Sequence, residues 1–267
     1  MFESYYGFTM NPFDKQSLRE EDAFQSNDHK QTLGRLDRLK GVRGIGVFTA
    51  APGLGKTFTV RCFAKTLNSR MHRILYICMS TVSAIDFYRQ LCTALGIDAS
   101  NKKSTMFKSI QDRLLSNHRD QHISYLIVAD EAHHLNTDIL LDLKMLMNFN
   151  FDALNPFSLV LVGEPYLNRI LEKGIHEALR QRIIVHYDFT GLIGDEVEEY
   201  LRHKFLAANA SFDILGEGTV SAIIACCKNN PRMIDNLMIQ ALTIGAQNQM
   251  HVLDTDVIYS ASNSLIL

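Results

Sequence analysis

The chain has 267 residues, 46% of them apolar and 21% charged, and 27 Lys and Arg against 29 Asp and Glu leave a formal net charge of −2. These proportions exclude a disordered chain, a coiled coil and a collagen-like repeat. The near-neutral balance excludes a protein that coats nucleic acid by bulk positive charge, though not one with a local basic face. The length suits one core domain plus a small appendage. No run approaches the roughly 18–20 apolar residues of a membrane span. The opening MFESYYGFTMNPFDK lacks the charged and apolar regions of a signal peptide. The expectation is a cytoplasmic protein with no membrane contact. Cys62, Cys78, Cys92, Cys226 and Cys227 are few, odd in number and mostly set in apolar runs, as reduced core residues would be. Adjacent Cys226-Cys227 fall in an amphipathic helical pattern, which favours packing over redox chemistry.

In chain order, residues 1–30 read as an irregular N-terminal extension, 31–190 as an α/β core and 191–267 as a helical domain. Five short runs rich in β-branched residues predict buried parallel strands: Ile45–Thr49, Ile74–Met79, Tyr125–Ala129, Leu159–Val162 and Ile183–Tyr187. Helical patterns alternate with them at Lys56–Leu67, Ala84–Leu95, Thr105–Ser116 and Thr137–Asn148. This alternation predicts a three-layer α/β domain with a five-stranded parallel sheet. Ligands in such sheets sit at the carboxyl ends of the strands. After about Phe189 the strand pattern stops. Helices are predicted from Asp195, an N-cap or first-turn acid, to about Ala208, over Glu217–Lys228, from Pro231 to about Gln247, and from Asp254-Thr255-Asp256 onward.

The strongest chemical signal is Ala50-Ala51-Pro52-Gly53-Leu54-Gly55-Lys56-Thr57, between an apolar strand and a helix. This is the context of a P-loop, whose small residues let backbone N–H groups and a helix N-terminus face phosphates. A nucleoside triphosphate would be held by Pro52, Gly53, Leu54, Gly55, Lys56, Thr57 and Phe58. Lys56 would reach the β- and γ-phosphates, and Thr57 would ligate Mg²⁺. Ala50 stands where the motif usually has Gly, and Ala disfavours positive φ. The second signal is Tyr125–Ala129 followed by Asp130 and Glu131, a Walker B pattern. Asp130 would hold Mg²⁺, directly or through water, and Glu131 would orient the attacking water. His133 and His134 follow, but no Cys/His set has metal-ligand spacing, so no metal beyond Mg²⁺ is expected. The letters DEAH also occur in two-lobed helicases, which need two large lobes where this chain has strands for one.

With these motifs the chain resembles the AAA+ superfamily, and within it the ExeA-like ATPases, similar to transposition helpers of the TniB, IstB and MuB kind. The resemblance covers nearly the whole chain. It implies ATP as the nucleotide and a slow, assembly-stimulated ATP hydrolase. Tyr6-Gly7-Phe8 and Asn11-Pro12-Phe13 look like the family's opening motif, either an aromatic staple or a contact to the nucleotide base. Val162-Gly163-Glu164-Pro165 matches a segment usually written Gly-Gln-Pro, which puts Glu164 at the sensor 1 position. A carboxylate there implies an Arg partner or damped hydrolysis. Ala178–Ile183 resembles the segment that carries an arginine finger, with Arg182 favoured and Arg180 second, or else both are solvated helix-end residues. Asn229-Asn230-Pro231-Arg232 resembles the motif with the sensor 2 arginine, Arg232. There Asn230 replaces a Gly and is expected to tolerate left-handed backbone.

A finger supplied by a neighbour implies self-association into a ring or helical filament. The resemblance implies a switch that assembles on double-stranded DNA and presents it to a partner transposase or integrase. Basic clusters at Arg35, Arg38, Lys40 and Arg43, at Arg70, His72 and Arg73, and at Lys102, Lys103 and Lys108 are either solvated faces or backbone contacts that add up along a filament. Ser80-Thr81-Val82 corresponds to the loop that faces DNA in the helpers, which makes Thr81, Lys102 and Lys103 candidates. The alternatives are a replication-initiator or loader-like AAA+ ATPase, which usually adds a winged-helix domain, and an ExeA-type secretion ATPase, which carries a membrane segment and a cell-wall-binding domain.

Overall fold

The computed structural model describes residues 2–14, 20–78, 83–149 and 154–265. The expected strand end Met79 and the DNA-facing candidates Ser80, Thr81 and Val82 lie outside the described residues. The elements run α1 (Phe2–Tyr6), α2 (Asn27–Val42), β1 (Ile45–Thr49), α3 (Lys56–Thr66), β2 (His72–Cys78), α4 (Ala84–Ala94) and α5 (Lys103–Asp120). They continue with β3 (Ser124–Asp130), α6 (Thr137–Leu146), β4 (Phe157–Gly163), α7 (Tyr166–Leu171), α8 (Glu177–Arg180) and β5 (Ile183–Asp188). The last four helices are α9 (Glu196–Ala207), α10 (Thr219–Cys227), α11 (Pro231–Gln247) and α12 (Thr255–Leu265). Among the described residues no helix is long and apolar enough to cross a membrane.

Two compact units result. One holds residues 31–52 and 56–189, the other residues 1–30, 53–55 and 190–267. The first is built on a parallel sheet of order β2-β3-β4-β1-β5. Every residue of β1, β3 and β4 is buried, whereas the edge strands β2 and β5 are buried only in part. Strand periodicity explains the two faces. Tyr125, Ile127 and Ala129 of β3 join Phe157, Leu159 and Leu161 of β4 in one core with Phe87 and Leu91 of α4, Ile110 and Leu114 of α5, and Ile139 and Leu143 of α6. The alternate residues face α2, where Ser158 Oγ donates to Leu39 O at 3.0 Å and Gly46 lies against the Leu39 side chain.

Periodicity marked the strands to within two residues at each end, apart from the undescribed Met79. It missed α1, α2, α7 and α8. In α2 the buried Leu36 and Leu39 sit among charged neighbours, so the apolar stripe is too narrow to stand out. Strand β2 begins at His72 rather than Ile74, because an edge strand carries polar side chains on its open face.

In the second unit, Leu201 and Phe205 of α9, Ile223 of α10, Ile234, Leu237, Met238 and Leu242 of α11, and Ile258 of α12 form the core. Residues 2–14 pack into this core. Phe8 and Phe13 pack against Phe205 at centroid distances of 5.3 and 6.0 Å, the first tilted and the second edge-to-face, and Tyr6 Oη donates to Met250 O at 2.8 Å. The opening motif therefore acts here as an aromatic staple. At its centre Lys204, 6% exposed, donates to Pro12 O at 2.7 Å and lies 3.5 Å from Asp235, which also accepts from Tyr200 Oη at 2.7 Å. Asp195 makes no side-chain cap to α9. Glu196, the first residue of α9, instead accepts from Ile193 N at 3.0 Å and from Asn27 N at 2.6 Å, tying the helix start to the preceding turn and to the start of α2.

Five histidines contribute to the pH dependence of this fold near neutrality. Burial lowers the pKa of His29, His72, His118, His176 and His203, with nearby cations adding to the effect at His72, His118, His176 and His203. Each folded value is below the ordinary 6.5, so the unfolded chain takes up protons first as pH falls. Stability should therefore decline as pH drops below about 6.5. His176 is fully buried and neither ring nitrogen has a hydrogen-bond partner among the described residues. Replacing it with Leu should leave the urea midpoint at pH 7.5 unchanged or raised, and should shrink its fall between pH 7.5 and 5.5. An unchanged acid-induced fall would show that His176 is not one of the titrating groups.

Candidate functional site

The carboxyl ends of β3, β4 and β1 carry the chemistry. Asp130 ends β3 with 3% exposure. Its Oδ2 accepts from Thr57 Oγ1 at 2.7 Å and from Tyr76 Oη at 2.6 Å, while Oδ1 accepts from the Glu131 amide at 2.9 Å. The P-loop Thr and the Walker B Asp, 73 residues apart, are thus in direct hydrogen bond. Tyr76 was not picked out from the sequence. Its place on β2, register-paired with Val128, brings its hydroxyl to Asp130. Burial and the bond to that carboxylate push the Tyr76 hydroxyl pKa far up, so it stays a proton donor.

Lys56 opens α3 with 7% exposure, and its ammonium donates to Ala50 O at 2.7 Å and Ala51 O at 3.2 Å. Ala50 is buried and is not among the residues of positive φ; the left-handed positions fall at Gly53 (φ 89°) and Gly55 (φ 90°). Replacement of the motif's first Gly by Ala therefore strains nothing. Pro52 and Leu54 complete the loop between these residues, and Phe58 follows on α3 with its ring 5.4 Å from the Arg61 guanidinium.

A Mg²⁺-nucleotide fits this donor set. A hydroxyl and a carboxylate are the hard oxygen ligands Mg²⁺ takes. A lysine bonded to loop carbonyls ahead of a helix N-terminus, on a backbone turned by two left-handed glycines, is a phosphate cradle.

Glu131 follows Asp130 in left-handed backbone (φ 54°, ψ 37°), which turns the chain sharply at the strand end. Next comes the short turn Ala132–His134. Its His133 ring has Nδ1 3.5 Å from Glu131 Oε2 and accepts from the Glu164 amide at 3.2 Å. Glu164 follows β4, as expected of the sensor 1 position. No Arg pairs with it among the described residues, so that part of the expectation is corrected: its neighbour is His133. The sequence search for metal ligands looked for local Cys/His spacing and missed a set that the structure assembles. Glu131, His133 and Glu164 each offer one ligand atom, all within 4.8 Å of one another.

The remaining candidates separate by their partners. Arg180 donates to Leu171 O and Glu172 O at 3.3 and 2.7 Å, closing the end of α7. Arg182 is half-buried at the start of β5, its carbonyl accepting from Ile45 N at 3.0 Å. Lys103 pairs with Asp142 and Lys40 with Asp37, each at 2.5 Å. Arg35 lies 4.5 Å from the Tyr187 ring. Arg43 is turned inward, bonding Ser124 Oγ and Asn155 O at 3.0 Å, and burial lowers its pKa. Arg38, Arg70, Arg73, Lys102 and Lys108 are exposed.

In the helical unit Asn230 is extended (φ −93°, ψ 111°), and its side chain caps α11 by accepting from the Arg232 and Met233 amides. The left-handed turn expected at Asn230 falls instead at Lys228 and Asn229 (φ 46° and 64°). Arg232 is exposed on the first turn of α11. A Cβ at Gly53 would lie 2.6 Å from Asn230 Oδ1 and 3.0 Å from the Arg232 Cβ, so Gly is required there on two counts, space and φ.

Residues 39–171 match the family described as AAA domain. The chain is 27% identical over 258 residues to General secretion pathway protein A of Aeromonas hydrophila, covering 94% of this chain and 47% of that protein. It thus spans about half the length of that relative. Among solved structures, Cdc6p of Pyrobaculum aerophilum superposes with TM-score 0.73 at 17% identity, over 96% of this chain and 71% of that one. ORC1 of Aeropyrum pernix, in complex with DNA, superposes with TM-score 0.68 at 16% identity, over 93% and 68%.

Two substitutions test the site. Glu131→Gln should keep ATP affinity and cut the hydrolysis rate by about 10²-fold or more. Glu164→Gln should keep or raise that rate, since it removes an anion from the neighbourhood of Glu131. A large loss of kcat in Glu164→Gln, with ATP binding intact, would show the carboxylate to be needed.

Proposed function

We propose that this chain, an ATP-hydrolysing P-loop protein of the AAA+ superfamily, is a nucleotide-gated switch that engages double-stranded DNA, of the replication-initiator or loader kind. The likeness to Cdc6p and to ORC1 in complex with DNA carries this reading, because it extends over 96% and 93% of the chain and so takes in the helical unit as well as the sheet. The expected transposition helper finds less support, since no recombinase partner is named among these relatives. It stays the second reading on its motifs, Gly163-Glu164-Pro165 and Asn230-Pro231-Arg232, with a transposase or integrase as partner. General secretion pathway protein A supports the same ATPase module, and its secretion role belongs to a protein about twice as long.

In this reading residues 31–190 are the ATPase core and 191–267 a lid. Lys56 binds the β- and γ-phosphates, with Pro52, Gly53, Leu54, Gly55 and Phe58 around them, and Thr57 and Asp130 hold Mg²⁺. Bound there, the ion neutralises charge on the transferred phosphoryl group. Glu131 orients the attacking water. Arg182 serves as the finger toward a neighbouring protomer in a ring or filament, with Arg180, which donates to the Leu171 and Glu172 carbonyls, second. Arg232 reports the nucleotide state to the lid. DNA contacts go to phosphates, with Lys102 ahead of the Asp142-paired Lys103, and Thr81 as a further candidate.

Fluorescence anisotropy on a labelled duplex tests the switch. Affinity should be higher with Mg²⁺ and ATP than with ADP and should fall steeply with salt, as phosphate contacts require. Lys56→Ala should lose the nucleotide effect, and mass photometry should show ATP-dependent assembly. Equal DNA binding in ATP, ADP and no nucleotide would overturn the proposal. Stimulation of strand transfer by a partner integrase would move the balance to the second reading.

A further inference from the structure

We propose that Glu131, His133 and Glu164 form a site for one divalent transition-metal ion of the zinc class, distinct from the Mg²⁺ position at Thr57 and Asp130. The three residues come from neighbouring strand ends. Strands β3 and β4 are paired, so the turn after Asp130 and the residue after Gly163 meet. One oxygen from each carboxylate and one imidazole nitrogen lie within 4.8 Å of one another. Donors around a tetrahedral ion at about 2.1 Å stand about 3.4 Å apart, so the widest separation tightens by up to about 1.4 Å on binding. His133 Nδ1 and Glu131 Oε2, at 3.5 Å, already have that spacing.

The hydrogen-bond pattern favours a cation. Nδ1 accepts from the Glu164 amide, so it presents a lone pair, as a metal-ligating imidazole nitrogen does. It faces Glu131 Oε2 at 3.5 Å, beyond hydrogen-bond distance, beside a second carboxylate. The accepted bond, 3.2 Å, is at the upper end of the ordinary range, and a metal bond at Nδ1 would replace it. The ring is also held in place beforehand. Its side chain is 10% exposed, the His134 ring lies 4.1 Å behind it, and a Cβ on Gly163 would come within 3.4 Å of Nδ1. One nitrogen and two oxygens with an open fourth position suit zinc, whereas Mg²⁺ prefers octahedral oxygen, so the two ions sort to different donor sets.

An ion at this place would hold Glu131 and stop hydrolysis while leaving the phosphate cradle untouched. That consequence rests on the water-orienting role proposed for Glu131; the binding itself does not. The test is a Co²⁺ titration of the nucleotide-free full chain, followed by visible d–d absorption, with Zn²⁺ competing. One ion per chain should bind, and His133→Asn should weaken it about tenfold or more, with Glu164→Gln weaker than the parent as well. Retained Mg²⁺-ATP affinity in His133→Asn would show that the variant is folded. One equivalent of Zn²⁺ should inhibit ATP hydrolysis in the parent and not in His133→Asn. Binding as tight in His133→Asn as in the parent, as the exposed Cys78 would give, or no saturable binding, overturns the site. Equal inhibition of both proteins overturns its link to Glu131. A chain that binds the metal yet shows no affinity for ATP would sink the proposed function and leave this site standing.

Discussion

The Asp130 carboxylate is the point on which the site depends. It ends a strand buried along its whole length, so its charge cannot be left to water and must be met by donors. Three are present: the Thr57 hydroxyl, the Tyr76 hydroxyl and the amide of Glu131. Each comes from a different piece of chain, the start of α3, the edge strand β2 and the turn after β3. One buried anion thereby sets the spacing between the phosphate loop, the sheet edge and the residue that follows Asp130.

The same logic explains why the two carboxylates of the Walker B pair differ. Asp130 is inside the strand and fully bonded. Glu131 is past the strand end, in left-handed backbone, with its side chain 43% exposed. The sharp turn gives the Glu131 carboxylate access to solvent while Asp130 stays buried. The turn also brings His133 up against Gly163 and beside Glu164, which joins the ends of β3 and β4 through side chains as well as through the sheet.

The helical unit is organised by a different interaction. Lys204 is buried with Asp235, Tyr200 and the carbonyl of Pro12, so the N-terminal segment is tied into a core otherwise made by α9 to α12. Removing one partner of such a set leaves an unpaired buried charge, which costs about 3–5 kcal/mol. Burial lowers the Lys204 pKa while Asp235 raises it, and the outcome is a net lowering. Of the aromatic residues in the opening motif, Phe13 lies over the Lys204 ammonium at 5.8 Å, while Phe8 packs on Phe205.

The central strands, the helices that carry the cores, and the residues of the phosphate loop could be read from the chain because each follows from a local rule: buried parallel strands are runs of Val, Ile and Leu, amphipathic helices repeat near every 3.6 residues, and a phosphate cradle needs small residues ahead of Lys-Thr. What lies between distant residues could not be read that way. Helix α2 was hidden by its charged surface, and the left-handed turn falls at Asn229 because Asn230 is taken up as a cap. The inward turn of Arg43, the Tyr76–Asp130 bond and the meeting of Glu131, His133 and Glu164 depend on which strands become neighbours. Local periodicity and motif spacing determine the elements and the kind of ligand. Strand order decides which polar groups share a neighbourhood, because that pairing is set by burying the whole sheet at once and by no short stretch of sequence.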